Sequence, residues 1–575
     1  MTAQPLPEKT RVALDTALAE LDRAKTDWAQ CSISDRLRLL RAVKDGVMSV
    51  AADWAETSAR EKGLDPETPI AGEDWIIGPY ATMEGLNAYI RTLREMPGKG
   101  FFSRLRMRSL PNGQTAVQVM PTSARDKLLL PGVRAEVWMR PGETPDTIRA
   151  KAARLYETPE TEREGAVALV LGAGNVSSIT PLDVLYKLLV ENQVVILKMN
   201  PVNDDLTPFF ETAMKPLIDK GALRIVRGGA DVGAYLCDHP LVEELHITGS
   251  DKTHDAIVWG MGEEGAKNRA AGTPKNTKRF SSELGCVSPT LVVPGPWSAA
   301  DVAYQAESIA SMKLHNSGHN CIACQTLVMP EGWDKGAALL DAVKSVLATS
   351  RRPAWYPGTE DRIALYAAHL DTVEKVERGS NAPPVVLGTL GDDDYNHRAE
   401  VFGPALGIKE LPAPDTETFL RAAIAYANDE LWGTLGANIL IHPTTLRQIG
   451  QRRFEDIIAE LRYGTIAING WCGFGFFIAT APWGAFPGHT PEDIQSGTGV
   501  VHNAFMLEET ERTVVRMPWA PFPRGFFSRE LSLMPRPPFF ITNKNQRRIG
   551  KALTRFQHRP SLRDLPKLLR EVMRG

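Results

Sequence analysis

Between residues 10 and 62 the apolar positions fall three or four apart, Leu14, Leu18 and Leu21 and then Leu37, Leu40 and Val43. That spacing lines one face of an α-helix, with Ser34 ahead of Asp35 as a cap. From Thr115 to Trp138 the rhythm shortens to two. Ala116–Met120 and Val133–Trp138 alternate apolar with polar around Pro131-Gly132, which predicts a strand pair projecting as a ribbon. A third pattern starts at Val167–Leu171, a wholly apolar run followed by the small residues Gly172 to Ser178 and a helix with Leu182, Leu185, Leu188 and Leu189 on one face. Strands at Val194–Lys198, Leu223–Val226 and Glu244–Ser250 alternate with helices near Pro208–Lys220 and Val232–Asp238. Such alternation builds a parallel sheet whose ligands sit beyond the carboxyl ends of the strands.

A chain of 575 residues has room for two to four domains at about 100–200 residues each. With 43% hydrophobic and 23% charged residues it reads as globular rather than disordered. Its formal charge of −3 lacks the basic excess of a nucleic-acid binder. The six cysteines are sparse and mostly far apart, which argues against a disulfide framework and for a reducing compartment. Met1–Gln30 lacks the basic, apolar and small-residue order of a signal peptide. The most apolar window, Val184–Leu197, is broken by Lys187, Glu191, Asn192 and Gln193, too short a run to span a bilayer. The expected location is cytoplasmic. No fixed-period repeat is present.

The small-residue turn Gly172-Ala173-Gly174 is an incomplete dinucleotide fingerprint, since Ser177 stands where the third glycine belongs. The informative stretch is Leu314-His315-Asn316-Ser317-Gly318-His319-Asn320-Cys321-Ile322-Ala323-Cys324, a flexible turn carrying a thiol. With Ser282-Glu283-Leu284-Gly285 before it and Glu400-Val401-Phe402-Gly403-Pro404 after it, the chain resembles the aldehyde dehydrogenase superfamily from about residue 165 to 497. In the same register lie Asn175, Lys198, Gly229 to Gly233, His239-Pro240 and Thr248-Gly249-Ser250. Asn428-Asp429-Glu430, Gly464-Thr465-Ile466 and Pro482-Trp483-Gly484 follow in order.

The chemistry agrees with the resemblance, because an aldehyde carbon is electrophilic and a thiolate is the side-chain nucleophile suited to trap it near neutral pH. The resemblance implies that Cys321 is that nucleophile, that Asn175 and the Cys321 N–H hold the oxyanion, and that Glu283 activates water against the thioester. It implies NAD or NADP as cofactor, with Lys198 and Glu400 on the two riboses, Ser250 at the pyrophosphate and Gly229, Gly233, Gly249, Leu284 and Phe402 shaping the site. It also implies an α/β fold: a Rossmann-type cofactor domain (1–114 as its helical part, 147–284), a bridging ribbon (115–146) that pairs across subunits, a catalytic domain (285–497) and a closing segment (498–575). A homodimer or homotetramer is expected, acting on a small-molecule aldehyde that the aromatic run Trp471–Phe477 suggests is bulky or apolar.

Glu283 favours release of a free acid over transfer to coenzyme A. Pro201 stands where the family often has a glutamate, which weakens strict NAD preference. His254 replaces a common glycine, Cys286-Val287 replace Gly-Lys, and the 38 residues from Glu283 to Cys321 suggest a small insertion. The rival readings are a coenzyme A-acylating enzyme of the same fold, a non-catalytic scaffold, and a redox or zinc module at Cys321 and Cys324, for which no second ligand pair follows. No metal is expected. Cys324 reads as packing, and His315 and His319 as loop residues.

Beyond Val501 the resemblance ends. From Met517 onward thirteen Lys/Arg face three Asp/Glu, among eight prolines and the aromatics Trp519, Phe522, Phe526, Phe527, Phe539, Phe540 and Phe556. Two amphipathic helices are predicted, one with Ile549, Leu553 and Phe556, the other with Leu562, Leu565, Leu569 and Val572. They suit either peripheral contact with an anionic membrane or a strap over the acidic body or a partner subunit, and the strap is favoured.

Overall fold

The computed structural model describes residues 6–575 apart from 380, 381, 528, 529, 531, 533 and 562. The start of the expected leaderless N-terminus and Leu562 therefore lie outside the described residues, as do the side chains of Phe526 and Phe527. The N-terminal periodicity becomes two long helices, Glu8–Ala29 and Ile33–Glu61, with Leu14, Leu18, Leu21, Leu40 and Val43 buried. The cap is Ser32, not Ser34: its hydroxyl accepts the Asp35 N–H at 3.1 Å, and Ser34 lies inside the helix. The helix expected over Pro208–Lys220 is two, Thr207–Ala213 and Lys215–Asp219. Pro216, which has no N–H, starts the second instead of continuing the first.

Three strands form the ribbon, β1 (Arg106–Ser109), β2 (Thr115–Met120) and β3 (Arg134–Met139), with the helix Ala124–Leu129 between the last two. Next come β4 (Val167–Leu171), β5 (Val194–Lys198), β6 (Leu223–Val226), β7 (Glu244–Gly249) and β8 (Arg279–Leu284). They make one parallel sheet in the order β6-β5-β4-β7-β8. β4 and β5 are buried along their whole length, as apolar strands covered on both faces should be.

The remaining strands are β9 (Ser288–Val292), β10 (Cys324–Pro330), β11 (Glu374–Val376), β12 (Val385–Thr389), β13 (Ala405–Leu411), β14 (Gly436–Leu440), β15 (Thr465–Ile468), the short pair β16 (Pro482–Trp483) and β17 (Val501–His502), and β18 (Thr510–Arg516). An eleven-stranded sheet runs β1-β2-β3-β18-β15-β14-β9-β10-β13-β12-β11. Within the chain β3 pairs antiparallel with β18, which pairs parallel with β15, so the ribbon joins the eleven-stranded sheet, satisfies those backbone groups internally and leaves β1 as the edge strand.

The basic extension is a strap on its own body. Helix Gln546–His558 buries Ile549 and Phe556, and helix Leu565–Val572 buries Leu568 and Val572. Trp519, Phe539 and Phe540 are buried as well. The basic side chains find acidic partners: Arg524 with Asp301, Arg536 with Glu307, Arg547 with Glu67 and His558 with Asp45. Ile549, Phe556, Leu568 and Val572 turn toward the body, while Leu553, Leu565 and Leu569 of the predicted faces are half-buried. Among the described residues no helix is long and apolar enough to cross a membrane.

Strap and body meet without clearance at Gly72, where a Cβ would fall 2.0 Å from the Arg547 nitrogen and 2.1 Å from the Gln546 carbonyl carbon. Backbone atoms cannot step aside as a flexible side chain can, so Gly72→Ala is expected to destabilise the protein by about 1–3 kcal/mol. Urea unfolding followed by tryptophan fluorescence measures this, and an unchanged midpoint would refute the close docking.

Candidate functional site

Cys321 follows a tight turn between the helix Ala299–Leu314 and β10. Three consecutive residues of that turn are left-handed: Asn316 (φ 50°), Ser317 (φ 58°) and Gly318 (φ 82°). Gly318 permits a close approach, since a Cβ there would lie 2.5 Å from the Gly403 carbonyl oxygen. For Asn316 and Ser317 the conformation costs on the order of 1–3 kcal/mol each unless surrounding contacts impose it. Those contacts are present. The Asn316 N–H donates to Glu73 Oε1 at 2.5 Å and the Ser317 hydroxyl to the Pro353 carbonyl at 2.7 Å. The Asn316 amide donates to the carbonyls of Asn175 and His319, each at 3.0 Å.

Asn175 lies beyond the carboxyl end of β4 and donates one amide N–H to the His319 carbonyl at 3.0 Å. An asparagine amide has two N–H donors, so a second remains for a ligand beside Cys321. Glu283 is the next-to-last residue of β8 and is 2% exposed. Burial pushes its carboxyl up to about 7, against the opposing pull of the nearby Cys321 thiol and Trp483 indole, while Asp183 adds to the rise. Neither contact closes to full hydrogen-bond geometry, so both carboxyl oxygens are without a bond partner. Burial, then the charge of Glu283, raises the Cys321 thiol well above its ordinary value. Thiol and carboxyl thus compete for charge in a dry site.

The cofactor candidates gather at the carboxyl ends of the parallel strands. Lys198 ends β5, is buried, and is shifted down by that burial; it makes no ion pair among the described residues. Gly229 precedes the helix Ala230–Asp238, which contains Gly233. Gly249 ends β7, and Ser250 caps the helix Asp251–Val258 by accepting the Thr253 N–H at 3.2 Å. Leu284 ends β8 and donates its N–H to the Ser496 carbonyl at 2.9 Å. From the other sheet's side, Glu400 enters with Oε1 buried and unpartnered, its carboxyl pushed up to about 8 by burial. It fits only because residue 285 is glycine, where a Cβ would lie 2.1 Å from Glu400 Oε2. Phe402, at φ 43°, packs its ring 5.0 Å from Tyr356 and 5.7 Å from His319. An ammonium without an ion pair among the described residues and a carboxyl with one unpartnered oxygen suit the hydroxyls and phosphates of a dinucleotide.

Sequence reasoning missed Glu73, which lies in the four-residue helix Gly72–Trp75 and carries no motif. Burial would raise its carboxyl, but Arg352 foremost reverses the shift and holds it below the ordinary range. His315 and His319 are buried and pushed down to about 4 and about 3, chiefly by burial, so both are neutral at pH 7. All six cysteines are free, Cys324 is fully buried with the Thr290 hydroxyl 3.1 Å from its sulfur, and no metal-ligand cluster occurs among the described residues.

Residues 175–350 match the aldehyde dehydrogenase family. The chain is 23% identical over 472 residues to the D-glyceraldehyde dehydrogenase (NADP(+)) of Picrophilus torridus, covering 73% of this chain and 87% of that one. Among solved structures, a substrate-bound Staphylococcus aureus AldH superposes with a TM-score of 0.58 at 14% identity, covering 87% of this chain and 93% of that one. Aldehyde dehydrogenase C of Pseudomonas syringae, complexed with NAD+ and octanal, gives 0.57 at 16% identity, covering 89% and 90%.

The opposition between Glu283 and Cys321 has a direct readout. Glu283→Gln removes the neighbouring charge, lowers the thiol pKa and raises the thiolate fraction, so iodoacetamide should alkylate Cys321 severalfold faster at pH 8, with tenfold for each unit of pKa. Below about pH 6 the wild-type carboxyl is protonated and the two rates should converge. Equal rates at pH 8 would show that the pair is not coupled.

Proposed function

We propose that the chain, whose residues 175–350 match the aldehyde dehydrogenase family, oxidises an aldehyde to the free carboxylic acid with NAD or NADP through a covalent intermediate on Cys321. The observation that carries this reading is the meeting of the Cys321 thiol, the Glu283 carboxyl and the Asn175 amide at the carboxyl ends of the sheet strands. Cys321 sulfur bonds to the aldehyde carbon, and its proton passes to Glu283 or solvent. The second amide N–H of Asn175 and the Cys321 backbone N–H hold the resulting oxyanion; such a donor is worth about 10²–10³ in turnover. The nicotinamide, when bound, supplies the hydride acceptor. Lys198, Ser250 and Glu400 would bind its riboses and phosphates, with Gly229, Gly233, Gly249, Leu284 and Phe402 giving the site its shape. Glu283, once any thiol-derived proton has passed to solvent, removes a proton from water as the oxygen attacks the thioester; the Cys321 sulfur leaves as a thiolate and takes that proton back from Glu283 as the acid forms.

Residues 1–114 and 147–284 serve as the cofactor-binding part, 285–497 as the catalytic part, 115–146 as the ribbon and 498–575 as the closing segment. The change of sheet between β8 and β9 supports the boundary after Leu284. Pro201, with no carboxylate to repel a 2′-phosphate, supports acceptance of NADP beside NAD. Family likeness supports a homodimer or homotetramer in the cytoplasm, for which β1 and β11 are the free sheet edges. The aromatic run Trp471–Phe477 supports an apolar or bulky aldehyde. Glu283 weighs against coenzyme A-linked transfer, and the assembled thiol, carboxyl and amide against a non-catalytic scaffold.

Purified protein is expected to form NADH or NADPH with aldehydes in the absence of coenzyme A and to release the acid. Cys321→Ala should be silent. Glu283→Gln should lose about 10²–10⁴ in turnover. Because Glu283 must be ionised to accept a proton from water, kcat should rise with pH and level off above about 7. A strict need for coenzyme A, or full turnover by Cys321→Ala, would overturn the reading.

A further inference from the structure

The C-terminal extension encloses space as well as strapping the body. A cavity of about 150 Å³ lies between it and the core. One wall is Asn469, Gly470, Phe474 and Phe477; the facing wall is Met534, Phe539, Leu568 and Val572 from the extension; and Leu128–Pro131 of the ribbon closes a third side. An apolar cavity of about this size in a protein core stays dry and binds benzene. Its lining is mostly hydrocarbon, with Tyr80, Glu84, Arg125, Asp126, Ser308, Asn469, Ser532 and Gln557 among its polar members. Burial there pushes the Glu84 carboxyl up to about 6 even with Arg125 beside it.

Two contacts place this cavity next to the chemistry. The Trp471 indole donates to the carbonyl of Ile322, the residue after Cys321, at 3.1 Å, and its ring packs 5.6 Å from Phe539 in the extension. Phe477 lines the cavity and also packs against the buried cluster of Ile77, Ala173, Val176 and Ile179, which brackets Asn175. The segment Asn469–Phe477 is therefore a thin partition, with the nucleophile and the oxyanion asparagine on one side and the extension on the other. The extension wall is also fixed in place. Arg536 makes a two-pronged pair with Glu307 at 2.6 and 3.1 Å, and Asn545 donates to the Glu571 carbonyl at 2.7 Å, joining the two terminal helices. A preformed wall takes a ligand without an ordering cost.

We propose that this cavity receives the far end of the substrate's hydrocarbon chain, so that the extension selects aldehydes with about six or more carbons beyond the carbonyl. The inference rests on the reading of Cys321 as an aldehyde-trapping nucleophile and adds a specificity site that the extension completes against the 469–477 segment. The Phe474–Phe477 turn is the gate through which the chain passes, and the extension is its terminus.

The test is a series of linear aldehydes from butanal to dodecanal with the full-length protein, Val572→Trp, which fills the cavity, and Leu568→Ala, which widens it. Calorimetric binding of 1-decanol, which has the chain without the reactive carbonyl, is measured alongside. Each methylene that enters the cavity should raise kcat/KM by about fourfold until the space is full. Val572→Trp should cut the decanal-to-butanal ratio of kcat/KM by tenfold or more, and Leu568→Ala should move the optimum to longer chains. If Val572→Trp fails to fold, as thermal unfolding would reveal, Leu568→Ala decides. A flat chain-length profile, or ratios untouched in the variants that fold, overturns the proposal. Should no aldehyde turn over, decanol binding that is lost in Val572→Trp upholds the cavity while the oxidation reading falls. Decanol that does not bind, or binds both proteins equally, refutes the cavity.

Discussion

The buried carboxylate of Glu73 accepting the Asn316 N–H holds the rest of the site in place. Three left-handed residues in a row would relax if left alone, and the Cys321 thiol would then lose its place beside Glu283 and Asn175. Glu73 prevents this because it is itself pinned, paired with buried Arg352 and flanked by the Lys62–Asp74 ion pair at 2.7 Å. A buried carboxylate is tolerable only when so partnered. The short helix that carries it, Gly72–Trp75, is in turn packed under the helix Gln546–His558 of the extension. A line of contacts thus runs from the last residues of the chain to the nucleophile's turn.

The same dryness that holds the turn sets the chemistry. Glu283, Glu400 and Cys321 are all shifted toward their protonated forms, with burial the first cause in each case. A carboxyl near 7 can give up and take back a proton at working pH, whereas an exposed one at its ordinary value would be a weak base. The resting thiol is protonated for the same reason, so any reaction through its thiolate is tied to proton loss in the site. Neutral His315 and His319 contribute to the packing beneath the loop, and Cys324 lies in the core under Thr290, so neither pair needs a redox or metal role.

Ribbon and extension both pack on their own chain. β18 lies between β15 and β3, so the eleven-stranded sheet continues into the ribbon and ends in the open edge of β1. The extension then packs on the helices Ile33–Glu61 and Gly72–Trp75 and on Trp471, with Arg524, Arg536, Arg547 and His558 paired to Asp301, Glu307, Glu67 and Asp45. The strap favoured from the sequence is thus the arrangement the chain adopts on itself.

The sequence by itself determined the elements whose signal is local. Val167–Leu171 and Val194–Lys198 are buried strands because an apolar run of that length has no other stable place, and the period of Leu14, Leu18 and Leu21 makes a helix face whatever surrounds it. The motifs around Asn175, Glu283, Cys321 and Glu400 were legible as a family resemblance, and the fold sets Asn175 beyond β4 and Glu283 near the end of β8. Tertiary structure alone decided the matters that depend on distant partners. Ser32 rather than Ser34 caps its helix because cap geometry is set by the turn and not by the residue type. The ribbon's partner was undetermined because strand pairing is a long-range choice between equivalent edges. Glu73 was invisible because an isolated glutamate carries no pattern, and only the fold brings it across some 240 positions of chain to the Asn316 N–H.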